Sequence, residues 1–184
     1  MAVRKILKWP SAKLRLKSTD VTDFDEARLI AVDCADTMKA NLGVGTAAPQ
    51  VGFNKKILVV DSKTLPSLLP SSVIDGCCVL VNSKIEVLSD ETFEWEEACL
   101  SVDEVQARIK RYSRIKINYQ DLNQDSHSFE LEGPESGVIQ HESDHLVGKL
   151  FIDHLSFYER KRLLKRIKRK NIEKTEELKA KNRK

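Results

Sequence analysis

Downstream of Asp23, the apolar and small residues Ala27, Ile30, Ala31, Cys34 and Met38 fall on one stripe at helical spacing up to about Asn41. The spacing predicts an amphipathic helix capped by Thr22 or Asp23. The pattern breaks at GVGTAAPQVG, where Gly43, Gly45 and Pro49 interrupt regular structure, and KILVVD, Lys56 to Asp61, then reads as a strand. Leu65 to Asp75, rich in Pro and Ser, reads as a loop leading to a second strand from about Cys78 to Ile85. Three further stretches, 93–97, 114–121 and 128–132, alternate or carry β-formers. LNQDS between the last two supplies turn residues and predicts an antiparallel hairpin. Gly133 and Pro134 stop the sheet and open a helix through VIQHESDHL, which Gly148 can end from the C′ position. Ser156 and Glu159 form a capping box for a last helix whose Leu163, Leu164 and Ile167 make one apolar stripe among Lys and Arg. With no internal repeat, this order predicts an α+β fold: mainly antiparallel strands around a central helix bearing HExxH, and a C-terminal helix.

Composition divides the chain. From Ser156 onward there are 13 Lys/Arg against 4 Glu, a charge of +9, whereas residues 1–155 hold 18 Lys/Arg against 24 Asp/Glu, a charge of −6. A compact body over 1–155 with a basic helical tail over 156–184 follows, and the tail suggests a polyanionic docking partner as readily as a solvated helix face. With 41% hydrophobic and 32% charged residues, a disordered chain is excluded, and no apolar run is long enough to cross a bilayer. Met1 to Leu16 lacks the apolar stretch of a secretory signal, which predicts a cytoplasmic address and leaves an organellar one open. Cys34, Cys77, Cys78 and Cys99 contain no CxxC pair and read as reduced thiols, with Cys77 and Cys78 as strand residues.

His141, Glu142 and His145 spell HExxH. On a helix the i, i+4 spacing sets both imidazoles on one face, where they can chelate one metal, and Glu142 beside them can hold a water and move its proton. Either histidine alone would be an ordinary surface residue; the pattern changes that. Catalytic sites of the zinc type need a third protein ligand. HExxHxxGxxH would supply a histidine, but Gly148 is followed by Phe151 at that place, and His154 falls too far on. Cys99 is the strong remaining candidate.

Three motifs, GVGTAAPQ from Gly43 to Gln50, EACLS from Glu97 to Ser101 and QHESDH from Gln140 to His145, stand in the order and spacing of the peptide deformylase family, which the chain resembles from ILKWPSAKLR through HLVGKLFIDHLS. The resemblance implies a catalytic body that hydrolyses the N-formyl group from the formyl-methionine of nascent polypeptides, releasing formate. It implies Cys99, His141 and His145 as ligands of one divalent metal, natively Fe(II), with Zn, Ni or Co able to replace it. Glu142 becomes the acid/base, and Gln50 with the backbone N–H of Leu100 the oxyanion donors. Gly43, Val44, Gly45, Ala98 and Val138 line the substrate site, with Gly45 keeping the cleft open, and Glu97 and Arg111 orient a histidine. In similar bacterial enzymes a C-terminal helix docks near the ribosomal exit tunnel, which gives the basic tail a ribosome or rRNA partner.

The chain departs from the family pattern at Ala98, where glycine is usual, and at Asp103 and Gln106, where Pro and Arg are usual. Glu135 and Gly137 replace bulkier apolar residues in the metal helix and predict a reshaped or widened methionine pocket. His127 reads as a turn residue and His154 as a structural or surface group. Two other readings compete. An HExxH endopeptidase would cleave internal peptide bonds and use a ligand other than Cys99. A ribosome- or RNA-binding protein on a decayed deformylase scaffold would have Ala98 as the sign of decay, and the intact ligands and base argue against it.

Overall fold

The computed structural model describes residues 2–67 and 73–181. Helix α1, Phe24–Ala40, is capped by Asp23, whose carboxylate accepts the backbone N–H groups of Asp25 and Glu26. Eight strands follow: β1 Gly45–Ala47, β2 Ile57–Asp61, β3 Val73–Ile74, β4 Cys77–Val87, β5 Thr92–Cys99, β6 Val102–Tyr112, β7 Arg114–Gln120 and β8 Ser126–Glu132. Helix α2, Gly133–Leu146, and helix α3, Phe157–Lys181, complete the order. Of the expected loop from Leu65 to Asp75, residues 68–72 lie outside the described residues, and its end forms β3.

All pairings among the named strands are antiparallel. One sheet runs β1-β2-β4-β7-β8 with β3 beside β4, and β5 and β6 form a separate hairpin. At its centre, along β2 and the first half of β4, the main sheet is covered on both faces, which explains the uninterrupted apolar runs there, while β7 and β8 alternate buried and exposed residues. Ile57, Val59, Cys77, Val79 and Val81 pack against Ile30, Cys34 and Met38 of α1. Their neighbours Leu58, Val60, Cys78 and Leu80 point the other way, toward Val138, Ile139 and Leu146 of α2. Adjacent Cys77 and Cys78 are therefore buried strand residues on opposite faces, as the apolar run implies.

Helix α2 is enclosed between this sheet and the β5–β6 hairpin. Gly133, with φ +56, makes the turn out of β8, Pro134 occupies the first helical turn, and Gly148 in the left-handed region ends the helix. The N–H groups of Gly148 and Lys149 return to the carbonyls of His145 and Asp144, a Schellman closure. The capping box at Ser156 and Glu159 forms as expected. Leu163 and Ile167 of α3 are buried with Val102, Val105, Ile109 and Phe151, so the basic helix is anchored to the hairpin. No described helix is long and apolar enough to cross a membrane.

Strand β6 is the main element that local patterning did not predict. Val105, Ala107, Ile109 and Arg111 alternate inward between polar residues, but Ala107 is small and Arg111 charged, so only two of the four are large and apolar. His127 lies within β8, not in the turn. It pairs with Asp121 at 3.0 Å and stacks on Tyr119, because Asp121 itself closes the turn by accepting the N–H groups of Asn123 and Asp125.

Candidate active site

Two elements build the site. On α2, His141 and His145 are neighbours one turn apart, with ring centroids separated by 5.3 Å. On β5, period-two alternation puts Trp95, Glu97 and Cys99 on one face. A register shift after Ala98 then pairs Cys99 with Val102 and turns the strand end toward α2. Cys99 is partly exposed as a residue, but its sulfur faces the two imidazoles, and the ligand atoms of Cys99, His141 and His145 all lie within 4.8 Å of one another. His145 Nε2 is 3.4 Å from Cys99 Sγ.

The surroundings suit a cation. Burial would push the Cys99 thiol up, but His145 and His141 beside it outweigh burial and hold it down at about 5, so sulfur is a thiolate at neutral pH. His141 Nδ1 donates to Glu97 Oε2 at 2.6 Å, which leaves Nε2 as the donor atom toward the site. Glu97 is itself fixed by Arg111, whose Nε donates to Oε1 at 2.7 Å and Nη2 to Oε2 at 3.0 Å. Burial opposes ionisation of Glu97, yet these N–H groups hold its carboxyl at about 2. A thiolate and two imidazoles with fixed lone pairs form a site for a divalent metal ion.

Glu142 stands next to these three residues, buried, with Oε2 lacking a hydrogen-bond partner among the described residues. Burial raises its carboxyl above the usual range, against the pull of His141 and His145. Gly45 makes its position possible. A Cβ at residue 45 would lie 2.4 Å from Glu142 Oε1, so the missing side chain leaves room for this carboxylate, where the sequence suggested room for substrate. Gln50 is aimed by its own backbone: the N–H of Ala47 donates to Oε1 at 2.8 Å, which sends Nε2 toward Cys99 Sγ at 3.5 Å and Ser101 Oγ at 3.2 Å. Leu100 follows Cys99 at the hairpin turn, its carbonyl held by Lys8 Nζ at 2.6 Å.

A cavity of about 360 Å³ opens onto these groups and is lined by Gly43, Val44, Gly45, Ala98, Leu100 and Val138, among others. Val138 is a buried wall, whereas Val44 is more than half exposed at the mouth. Two expectations are corrected here. Glu135 does not reshape the pocket; it faces away and accepts the N–H of Ser67 at 2.8 Å. Gly137 reshapes it without widening it, because the indole of Trp95 occupies the freed space. Asp103 is paired with Lys8 at 2.5 Å, and Gln106 borders a groove beside Ala98 that Arg166 of α3 also lines.

Sequence reasoning missed Trp95 and the extension of the Arg111 network. Arg111 Nη1 donates to Asp144 Oδ2 at 2.7 Å, and His154 Nε2 donates to the same oxygen at 2.7 Å. His154 is thus a partner of Asp144, and Phe151 is stacked on the His141 ring. The WxExC alternation was the available signal for Trp95. A profile of the polypeptide deformylase family matches residues 3–161. The peptide deformylase of Desulfotalea psychrophila is 39% identical over 170 residues, covering 92% of this chain and 97% of its own. The crystal structure of a peptide deformylase from Legionella pneumophila superposes with a TM-score of 0.80 at 33% identity, covering 97% of this chain and 98% of its own. That of the Ehrlichia chaffeensis peptide deformylase in complex with actinonin gives 0.81 at 34% identity, with coverage of 92% and 98%. Matched in sequence over nearly its whole body and in fold over the same span, the chain belongs to the polypeptide deformylase family.

Proposed function

We propose that this chain removes the formyl group from the N-terminal formyl-methionine of nascent polypeptides, with Cys99, His141 and His145 holding the metal, Glu142 moving the proton, and Gln50 and the N–H of Leu100 receiving the oxyanion. The observation that carries the reading is the buried, unpartnered oxygen of Glu142 beside three converging ligand atoms. A divalent ion bound there supplies Lewis acidity, lowering the pKa of water and polarising the formyl carbonyl. Thiolate and imidazole donors suit Fe(II), Zn, Ni or Co over Mg or Ca, and Fe(II) is the native ion by the family resemblance.

Glu142, raised above an ordinary carboxylate by burial, takes the proton from water attacking the formyl carbon and delivers it to the departing amine nitrogen, leaving formate and a free N-terminus. The Nε2–H of Gln50 meets negative charge developing on the formyl oxygen, and its orientation is preset by the Ala47 N–H. Glu97 and Arg111 act on His141, fixing tautomer and ring direction. The methionine side chain enters the cavity along Val44 and Val138.

Anaerobically metallated enzyme should release formate from a formyl-methionyl peptide. Glu142→Gln should lose activity and keep metal, while Cys99→Ala should lose both; activity indifferent to either change overturns the assignment. The basic helix is proposed to carry the enzyme to ribosomal RNA. Because Leu163 and Ile167 are buried, truncating the tail would damage the core, so the clean test reverses charges at exposed Lys161, Lys165 and Lys168. Salt-sensitive ribosome association should disappear with peptide deformylation intact. Unchanged association would remove this partner.

A further inference from the structure

Gly137 is buried on α2, one turn ahead of His141, with its Cα toward β5. A Cβ there would lie 2.8 Å from both Cε2 and Cζ2 of Trp95 and 3.1 Å from Nε1. The indole therefore rests directly against the helix backbone at a distance no side chain other than glycine permits. The same ring lines the cavity together with Val138, Glu97 and Ala98. Its Nε1–H donates to Glu97 Oε1 at 2.9 Å, and the other oxygen of that carboxylate accepts from His141 Nδ1 at 2.6 Å. One side chain thus bounds the substrate pocket and, by its N–H, steadies the group that orients a metal ligand.

Resting on the deformylase reading above, we propose that Trp95, seated on Gly137, is the specificity-determining wall for the first side chain of the substrate and a positioning residue for Glu97. A flat, rigid indole beside Val138 favours an unbranched chain lying along its face, and a thioether gains from contact with the ring. Removing the ring creates volume next to the cavity without altering any ligand. Removing only its N–H leaves the wall and frees one contact on Glu97.

The two roles separate by variant. Metal-loaded enzyme is assayed with formyl-methionyl, formyl-leucyl and formyl-phenylalanyl tripeptides of otherwise identical sequence. Trp95→Ala should shift the kcat/KM ratio toward the phenylalanyl peptide by about tenfold or more, the scale at which pocket volume discriminates. Trp95→Phe should keep the wild-type preference and KM for the methionyl peptide while kcat falls by about tenfold, as loss of a partner behind a metal ligand does. Gly137→Ala displaces the ring and should show both effects, and pairing it with Trp95→Leu should restore part of the lost activity. A binding readout independent of turnover uses Glu142→Gln with Trp9→Phe, in which Trp95 is the sole tryptophan. The methionyl peptide should quench its fluorescence saturably. Side-chain preference unchanged in Trp95→Ala, or saturable binding without quenching, overturns the pocket role while leaving deformylation standing. Full kcat in Trp95→Phe overturns the positioning role. If wild-type enzyme with stoichiometric metal turns over none of the peptides, the deformylase reading falls and this inference falls with it.

Discussion

A methyl group at position 45 reaches the proposed proton carrier without touching a ligand. The added Cβ lies 2.4 Å from Oε1, 2.8 Å from Cδ and 3.0 Å from Cγ of Glu142. The backbone at Gly45 is held in place, since β1 is laddered to β2 through Gly45 and Val60, and the Asp61 N–H reaches the Val44 carbonyl at 2.9 Å. Glu142 has to yield, and restoring ordinary contact takes its carboxylate back by about 1 Å, a displacement that costs a positioned group on the order of 100-fold in rate. That is about 2.7 kcal/mol of barrier. Overpacking adds about 1–3 kcal/mol of destabilisation, a few degrees in Tm for a chain of this size. Gly45→Ala should therefore lose about 100-fold in kcat for formate release, with metal stoichiometry near wild type because Cys99, His141 and His145 are untouched. Gly43→Ala is the comparison: its Cβ meets Leu100 Cδ1 at 3.0 Å and Met38 Cγ at 3.3 Å but not Glu142, so its loss in kcat should be well below that of Gly45→Ala. Gly45→Ala with a wild-type kcat in the anaerobic assay would refute the claim that Glu142 works from this position.

Two further outcomes follow from the charges around the ligands. Arg111→Met leaves Glu97 and Asp144 without their shared cation; with Glu97 buried, calorimetry should show a loss of about 3–5 kcal/mol, and metal titration about 10–100-fold weaker affinity. A metal-free protein of unchanged stability would contradict it. In metal-free protein at pH 6, iodoacetamide should label Cys99 ahead of the other cysteines, as read by peptide mass spectrometry. Its thiol, held at about 5, is mostly thiolate above that pH and loses reactivity as pH falls through it, whereas burial keeps Cys78 protonated up to about 11 and raises Cys34 and Cys77 too. Bound metal should protect Cys99, and labelling unaffected by metal would remove it from the ligand set.

What the sequence made legible was chemistry acting over a few residues. HExxH maps onto one helix face because the helical repeat fixes where the fourth residue falls, and Asp23, Gly148 and the Ser156–Glu159 pair declare helix ends through hydrogen bonds to their own backbones. The sheet read as strands because β2 and the start of β4, covered on both faces, are apolar runs, and β7 and β8 alternate buried with exposed residues. Strand β6 obeys a different economy. Its inward row holds only Val105 and Ile109 as large apolar residues and ends in Arg111, a charged residue whose burial makes sense only beside Glu97 on β5 and Asp144 on α2, so a window on β6 alone gives a weak apolar row. The same holds for Glu135 and Gly137. Each looked like a pocket residue by its place in the helix, but the first is committed to the backbone of Ser67 and the second to an indole 42 positions upstream. Glycine at 137 predicts empty space only if nothing bulky faces it, and Trp95 faces it. The space lost at one residue and filled by the other is a single tertiary decision written in two distant places. Substituting either residue alone should therefore perturb the site more than substituting both, because volume is conserved only by the pair.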